Sequence, residues 1–359
     1  MSGIALYRKY RPKTFSQVVG QEHVTQTLQG ALKTNSVAHA YLFTGPRGTG
    51  KTTIARLLAK AVNCEKNMLR STGDESDACG VCSFCKEIEE GKAFDLVEID
   101  AASNRGIDEI RALREGARFA SARGKHKIYI IDECHQLTKE ASNALLKTLE
   151  EPPAKTIFIL ATTEASKVLP TIASRTQRFD FKKLSTEQVV VKLQSISLIE
   201  KIKIDESLLQ LIALQSEGSM RDAESNLSKL VAFKGKEIDE EAIKEVLGFI
   251  PMKIFHDFLG LIQTKKTGEA VSLVNYLYES GLDLDNFVKG LLGYTRRILV
   301  ARANRTPTVD PKINTLAASL EGKDILKLLN TLMRVQQEMK ISPIPQLPLE
   351  IAITELTQQ

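Results

Sequence analysis

The sequence lacks any apolar run near the ~18 consecutive residues that a membrane-spanning helix requires. Its first residues, MSGIALYRKYRPKTF, also lack the apolar core of a signal peptide, so we expect a cytoplasmic protein without a membrane partner. Hydrophobic residues make up 43% of the chain and charged residues 26%, which excludes a disordered protein and favours a globular one. A length of 359 residues predicts two or three domains.

Cysteine is scarce, and four of the five cysteines lie in one polar segment with the spacing Cys64-x14-Cys79-x2-Cys82-x2-Cys85. In a cytoplasmic chain such a group indicates a metal or catalytic site before disulfides. Four thiolates fit tetrahedral zinc and leave no coordination position for catalysis. We therefore predict a structural zinc module within about 64–91, where the metal stabilises an insertion too small to bury its own core.

Short apolar runs alternate with helical patterns through the first half of the chain. This alternation predicts a mainly parallel sheet covered by helices on both faces. The expected strands are AYLFT (40–44), LVEID (96–100), KIYIID (127–132), TIFILAT (156–162) and RFDF (178–181). Helices are expected at 52–62, 106–119 and 139–151, the last of them stopped by Pro152 and Pro153.

The strand pattern ends near residue 183, and the rest of the chain has helical patterns. Helices are expected at 187–200, 205–215, 220–233 and 240–247, and again after a joint at 248–251. The predicted division is an α/β nucleotide-binding domain at 1–183, a helical domain at 184–247 and a second helical domain at 248–359.

The segment GPRGTGKT (45–52) fits the phosphate-binding pattern G-x-x-x-x-G-K-T and stands between a predicted strand and a predicted helix. Its backbone N–H groups and the helix N-terminus would hold phosphate oxygens. Lys51 would reach the β- and γ-phosphates, and Thr52 would coordinate magnesium. The nucleotide contacts predicted from this segment are Gly45, Pro46, Arg47, Gly48, Thr49, Gly50, Lys51, Thr52 and Thr53.

The stretch YIIDECHQL (129–137) places two carboxylates at the end of a predicted strand. By itself it is compatible with a helicase, an ATP-driven loader, a protease regulator or a metal site. Beside a phosphate loop, Asp132 is expected to bind magnesium and Glu133 to polarise the attacking water. Cys134 is expected to be a packing residue, and His135 a surface or capping histidine. A helicase would need a second strand-and-helix domain, which the helical C-terminal half does not predict.

Several segments in order resemble the gamma/tau subunits of the bacterial DNA polymerase III clamp loader, in the AAA+ ATPase superfamily. They are YRKYRPKTFSQVVGQ, GPRGTGKT, the four cysteines, IIDECHQL, LLKTLEEPP, LATTE, ASRTQRF and GSMRDA. The resemblance implies an AAA+ P-loop ATPase domain with a five-stranded parallel sheet and a zinc-binding insertion, then an all-α lid and an all-α collar that joins subunits. It implies an ATPase stimulated by DNA and by a sliding clamp.

The same resemblance assigns roles to further residues. Val18, Val19 and Gly20 would pack against the adenine, and Thr163 would be a sensor near the γ-phosphate. Arg175 would be an arginine finger that acts on the nucleotide of the neighbouring subunit, and Arg221 a second sensor on the lid. The family usually has cysteine where this chain has Thr176, a difference outside the expected chemistry.

Expected cofactors are ATP, Mg²⁺ and Zn²⁺, and expected partners are copies of the chain, the delta and delta-prime subunits, the sliding clamp and primer–template DNA. DNA contacts should involve the phosphate backbone, for which a net charge of +5 is compatible but not diagnostic. Candidate DNA contacts are Ser103, Asn104, Arg105, Arg118, Arg123, Lys125 and Lys127. RKYRP (8–12) is either a DNA contact or packing beside the nucleotide.

Overall fold

The computed structural model describes residues 5–68, 77–304 and 310–358. Its internal contacts divide the chain into two compact units, residues 1–239 and 240–359, each of which is described by itself. The three-domain division predicted from the sequence, with a boundary at 183, stays a prediction. In the described ranges no helix has the length and apolar character needed to cross a membrane.

A five-stranded, wholly parallel sheet forms the centre of the first unit, in the order β2-β3-β4-β1-β5. Its strands are β1 (Ala40–Thr44), β2 (Leu96–Asp100), β3 (Lys127–Asp132), β4 (Thr156–Thr162) and β5 (Gln177–Asp180). The central strands β1 and β4 are buried at every position, which explains their unbroken apolar sequences. The predicted sheet is confirmed, and only β5 differs, by one residue at each end.

Alternate side chains of the strands enter two separate cores, one on each face of the sheet. Tyr41, Ile130 and Ile159 belong to the core that also contains much of the helix directly after the phosphate loop. Leu42 and Phe158 belong to the opposite core. This two-residue period is the reason that both faces must be covered by helices.

The helices of the first unit surround this sheet and continue beyond it. They are α1 (Leu6–Lys9), α2 (Glu22–Lys33), α3 (Lys51–Val62), α4 (Glu65–Met68), α5 (Ser83–Glu90), α6 (Ile107–Ala117), α7 (Lys139–Glu150), α8 (Pro170–Ala173), α9 (Thr186–Glu200), α10 (Glu206–Gln215) and α11 (Met220–Lys234). Short 3-10 helices occur at Phe15–Gln17, Cys134–Gln136 and Ala165–Lys167. Side-chain caps fix several starts: Ser185 and Gln188 form a capping box on α9, and Ser219 caps α11.

The second unit is helical throughout its described residues. It contains α12 (Glu240–Leu247), α13 (Met252–Gln263), α14 (Thr267–Glu279), α15 (Leu284–Asn304), α16 (Pro311–Ser319), α17 (Gly322–Glu338) and α18 (Leu347–Thr357). The expected joint at 248–251 carries no helix. Because 240–304 and 310–358 hold no strand, the second sheet that a helicase would need is not found there.

Candidate functional site

The phosphate loop connects β1 to α3 at the carboxyl edge of the sheet. Gly45, Gly48 and Gly50 have positive φ angles of 145°, 75° and 100°. Residues with a Cβ atom rarely adopt such angles. A Cβ atom at Gly48 would lie 1.9 Å from the Ser219 hydroxyl oxygen, and one at Gly45 would lie 2.5 Å from the Phe181 carbonyl oxygen. The two glycines are therefore required both for the loop conformation and for close packing around it.

Lys51 folds back onto the loop. Its Nζ atom donates hydrogen bonds to the carbonyl oxygens of Gly45, at 2.7 Å, and Pro46, at 2.9 Å. Burial lowers the pKa of Lys51, while the neighbouring charges of Glu133 and Asp132 oppose that shift. An anion held in the loop would replace the two carbonyl partners and favour the charged amine, which is the chemistry of a phosphate site.

Thr52 and Asp132 meet across the gap between the loop and β3. The Thr52 hydroxyl donates to Asp132 Oδ2 at 2.7 Å. A hydroxyl and a carboxylate this close, next to a phosphate loop, supply hard oxygen ligands of the kind that Mg²⁺ takes together with substrate phosphates. The donor set fits the magnesium site predicted from the sequence.

Glu133 follows directly and adopts a left-handed conformation, with φ 47° and ψ 44°. Such backbone strain in a residue other than glycine concentrates at functional sites. One carboxylate oxygen, Oε2, accepts hydrogen bonds from the backbone N–H and the hydroxyl of Thr163, at 3.1 and 2.9 Å. Thr163 itself does not line the cavity, and its contact with the site runs through Glu133.

The prediction for His135 is wrong. Its side chain is only 4% exposed, and Nδ1 lies 2.9 Å from the Thr162 hydroxyl and 3.3 Å from Glu133 Oε2. The short 3-10 helix after Glu133 turns this side chain inward toward the end of β4, so it neither lies on the surface nor caps a helix. Cys134 is buried in the core as expected, where burial raises its pKa to about 12.

One cavity brings together most of the residues predicted from the phosphate loop and the acidic pair. Its predicted lining residues are Val18, Val19, Arg47, Gly48, Thr49, Gly50, Lys51, Thr52, Thr53, Asp132, Glu133 and Arg221. Gly20, Gly45 and Pro46 lie outside the lining, although the latter two hold Lys51. The cavity therefore joins a phosphate end, at the loop, to an end with apolar side chains.

Eight further lining residues were not predicted as nucleotide contacts: Tyr7, Arg11, Pro12, Gln17, Leu184, Lys192, Met220 and Glu224. Arg11 and Pro12 belong to the RKYRP segment, for which packing beside the nucleotide was one of two alternatives. Gln17 directly precedes Val18, so its place in the cavity lining could have been predicted from the prediction for Val18. Lys192 and Glu224 have no local sequence signal, because only the packing of α9 and α11 brings them to the cavity.

Arg221 stands at the start of α11, beside the loop. The Met220 backbone N–H donates to the Gly48 carbonyl oxygen at 3.2 Å, which holds the helix against the loop. The Arg221 guanidinium carbon lies 5.2 Å from the centre of the Tyr7 ring, within the range of a cation–π contact. A cation is thus held at the cavity wall without a carboxylate partner among the described residues.

Arg175 lies away from the cavity of its own chain. It pairs with Glu150 at 2.7 Å and donates to the Thr171 carbonyl oxygen at 3.0 Å. The nearby Thr176 hydroxyl donates to the Ile172 carbonyl oxygen at 3.1 Å, so its role here is local. Arg175 cannot serve the phosphates of its own cavity from this position.

Cys64, Cys79, Cys82 and Cys85 converge between the end of α3 and the start of α5, with all four sulfur atoms within 4.8 Å of one another. Tetrahedral zinc with ~2.3 Å bonds places its sulfur ligands ~3.8 Å apart, so the donor set fits this metal. Burial raises the pKa of Cys79, but hydrogen bonds from the Val81 and Cys82 backbone N–H groups and from the Cys64 and Cys82 thiols together outweigh it and lower the pKa to about 6. Residues 69–76 of the predicted module lie outside the described residues.

The candidate DNA contacts form two groups. Ser103, Asn104 and Arg105 are exposed in the segment before α6. In the second group, Arg123 pairs with Glu87 at 2.7 Å, and Lys127 donates to the Gly116 carbonyl oxygen at 2.8 Å. Arg118 and Lys125 are exposed. Arg123 and Lys127 therefore already have partners within the chain.

Comparison with known proteins gives two family matches. A model described as "DNA polymerase III, delta subunit" matches residues 20–185, and one described as "DNA polymerase III subunits gamma and tau domain III" matches residues 238–359. Together the two matches cover 288 of the 359 residues.

Among curated proteins, the DNA polymerase III subunit tau of Bacillus subtilis is 39% identical, over 100% of this chain and 64% of that protein. The tau subunit of Escherichia coli K12 is 38% identical, over 98% and 55%. The gamma subunit of Buchnera aphidicola is 32% identical, over 97% of each chain. The chain thus spans little more than half of the tau relatives and nearly all of that gamma subunit.

Proposed function

Since the chain belongs to the family of DNA polymerase III gamma and tau subunits, we propose that it is the ATP-hydrolysing motor subunit of a clamp loader. In this role, ATP binding and hydrolysis would open a sliding clamp and load it onto primed DNA. The observation that carries the proposal is the convergence of Lys51, Thr52, Asp132 and Glu133 on one cavity at the carboxyl edge of the sheet. A subunit that acted only as a scaffold would not need all four.

Hydrolysis replaces the bond between the γ-phosphorus and its bridging oxygen by a bond to a water oxygen. Glu133 is the base that orients this water and accepts its proton. Thr163 holds Oε2 of Glu133, so the carboxylate approaches the water in a defined orientation. Loop N–H groups and Lys51 bind the phosphates, and the charge that develops on the γ-phosphoryl oxygens is stabilised by cations.

Thr52 and Asp132 would hold Mg²⁺, which neutralises phosphate charge when it is bound. The four cysteines would hold Zn²⁺, which joins the end of α3 to α5 and takes no part in hydrolysis. The two metals therefore have separate tasks, one at the substrate and one in the fold.

Arg175 is proposed to act on a neighbouring subunit. It is absent from the cavity of its own chain, yet it follows α8 closely and keeps a partly exposed guanidinium. A guanidinium supplied from another subunit can contribute ~10³–10⁵ in rate. Hydrolysis would therefore depend on assembly with copies of the chain and with the delta and delta-prime subunits.

Stimulation by the clamp and by primer–template DNA belongs to the same proposal. DNA would be held through its phosphate backbone, with exposed Arg105 and Arg118 as candidates beside α6. Binding should therefore be independent of sequence and should weaken steeply with salt.

The proposal is tested with nucleotide binding and hydrolysis by matched variants. Lys51→Ala should strongly weaken ATP binding, because it removes the cation that meets the phosphates. Glu133→Gln should keep ATP binding and reduce hydrolysis ~10²–10⁴-fold, since the amide cannot accept the proton. Hydrolysis by Glu133→Gln at the wild-type rate in the assembled complex would contradict the mechanism.

A further inference from the structure

Three carboxyl groups line the nucleotide cavity, and the proposed hydrolysis mechanism gives the third no role. Asp132 and Glu133 line the cavity beside the phosphate loop, whereas Glu224 reaches it from α11. The N-terminus of α11 touches the loop through Met220, and Glu224 lies four residues, or ~6 Å, further along the helix axis. Glu224 therefore faces the cavity beyond the phosphate end.

This glutamate is buried to a degree that is unusual for its type. It is only 5% exposed, and among the described residues its carboxyl group has no hydrogen bond or ion pair. A buried polar group without a partner destabilises the fold, so such groups normally find one. A leucine at this position would pack without that cost. The geometry points to a partner that enters the cavity.

The protonation state of Glu224 determines whether its carboxyl group can donate a hydrogen bond to a partner as well as accept one. Burial raises the pKa of Glu224 to about 8, and the charge of Lys192 on α9 opposes the shift only in part. At neutral pH the group is mainly a carboxylic acid, with one O–H donor and one carbonyl acceptor. The other titratable or charged groups that line the same cavity are Tyr7, Arg11, Arg47, Lys51, Asp132, Glu133 and Arg221.

We propose that Glu224 binds the base of ATP, accepting a hydrogen bond from the 6-amino group of adenine and donating one to ring nitrogen N7. Adenine presents a donor and an acceptor side by side, the pattern that a neutral carboxyl group complements. Guanine presents two acceptors, O6 and N7, on the corresponding edge, and a single O–H cannot satisfy both. The inference rests on the proposed function and adds a residue that selects the base.

The walls around Glu224 suit a planar ring. Val18, Val19 and Leu184 line the same cavity and supply apolar contact. The Leu6 backbone N–H donates to the Ser228 hydroxyl at 3.1 Å, which holds α1 against α11 one turn beyond Glu224. The part of α11 that carries Glu224 is therefore held on both sides, by Met220 against the phosphate loop and by Ser228 against α1.

The test compares ATP with purine riboside triphosphate, which lacks only the 6-amino group. Equilibrium binding is measured on the full chain as wild type, Glu224→Gln and Glu224→Leu. The wild type should prefer ATP by roughly three- to tenfold, as expected for one hydrogen bond. Glu224→Gln, which keeps a donor and an acceptor, should retain the preference, and Glu224→Leu should lose it. An unchanged preference in Glu224→Leu, or an equal loss for both nucleotides, would overturn the inference.

Two further measurements separate the possible failures. Lys51→Ala should weaken both nucleotides without changing their ratio, because it acts at the phosphates. In the wild type the ratio should rise above about pH 8, because an ionised carboxylate loses its hydrogen bond to the ring nitrogen of both nucleotides but accepts a stronger one from the 6-amino group of ATP, while Glu224→Gln should keep its ratio. A wild-type ratio that does not change with pH would overturn the inference even if Glu224→Leu fails to fold. Wild-type chain that binds neither nucleotide would instead overturn the proposed function, and this inference with it.

Discussion

Thr163 donates two hydrogen bonds to a single oxygen of Glu133, one from its backbone N–H and one from its hydroxyl. Thr163 directly follows β4 and Glu133 directly follows β3, and these strands are neighbours in the sheet. The proposed catalytic base is thus oriented by the adjacent strand. The backbone contact survives any side-chain change, so the hydroxyl contribution can be measured alone.

Thr163→Val should keep ATP binding and reduce hydrolysis, because Glu133 loses its shorter hydrogen bond. A loss of at least about tenfold is expected for a misoriented base. Thr163→Ser is the matched control and should retain most activity, since the hydroxyl remains. Equal rates for Thr163→Val and Thr163→Ser in a steady-state ATPase assay would show that the hydroxyl does not orient the base.

Arg175→Ala should leave ATP binding intact and reduce hydrolysis by the assembled complex ~10³-fold or more. The reason is that Arg175 lies outside the cavity of its own chain and would act on a neighbour. Arg178→Ala is a suitable control, because Arg178 is also exposed but pairs with Asp180 on its own strand. If Arg175→Ala turned over ATP like the control, the arginine-finger assignment would be wrong.

Removal of zinc should destabilise the first unit. The metal would join α3 to α5 across a segment with little core of its own, and structural zinc contributes directly to folding free energy. Cys82→Ser should lower both the zinc content and the melting temperature, whereas Cys134→Ala should leave the zinc content unchanged. Elemental analysis of protein purified without chelator should give about one zinc per chain; clearly less would count against the module.

The buried acid also predicts how stability changes with pH. The pKa of Glu224 is about 8 in the folded chain, above its ordinary value, so the folded state keeps a proton that the unfolded state has released. Stability should therefore fall as pH rises through the interval between the two values, by at most ~1.4 kcal/mol per pH unit. Glu224→Gln should remove this slope. The exposed Glu217→Gln should not, and equal slopes for both variants in thermal unfolding would contradict a buried neutral acid.

Local sequence patterns predicted the sheet well, because β1, β3 and β4 are short, apolar runs that are buried along most of their length. The phosphate loop, Asp132 and Glu133 were also placed correctly, since their positions follow from strand ends. The environment of His135 was predicted wrongly and Glu224 was not singled out, for a common reason. Their neighbours in space, Thr162 and Lys192, lie 27 and 32 residues away along the chain, and the helical periodicity of α11 does not distinguish a buried glutamate from an exposed one.

The most direct test is the ATPase rate of this chain alone, compared with the rate after delta, delta-prime, clamp and primed DNA are added in turn. The account predicts that the isolated monomer binds ATP but hydrolyses it very slowly. The rate should rise on assembly and again with clamp and DNA, and Arg175→Ala should abolish the increase. A strictly monomeric preparation that hydrolyses ATP at the full rate, without clamp or DNA, would contradict the account.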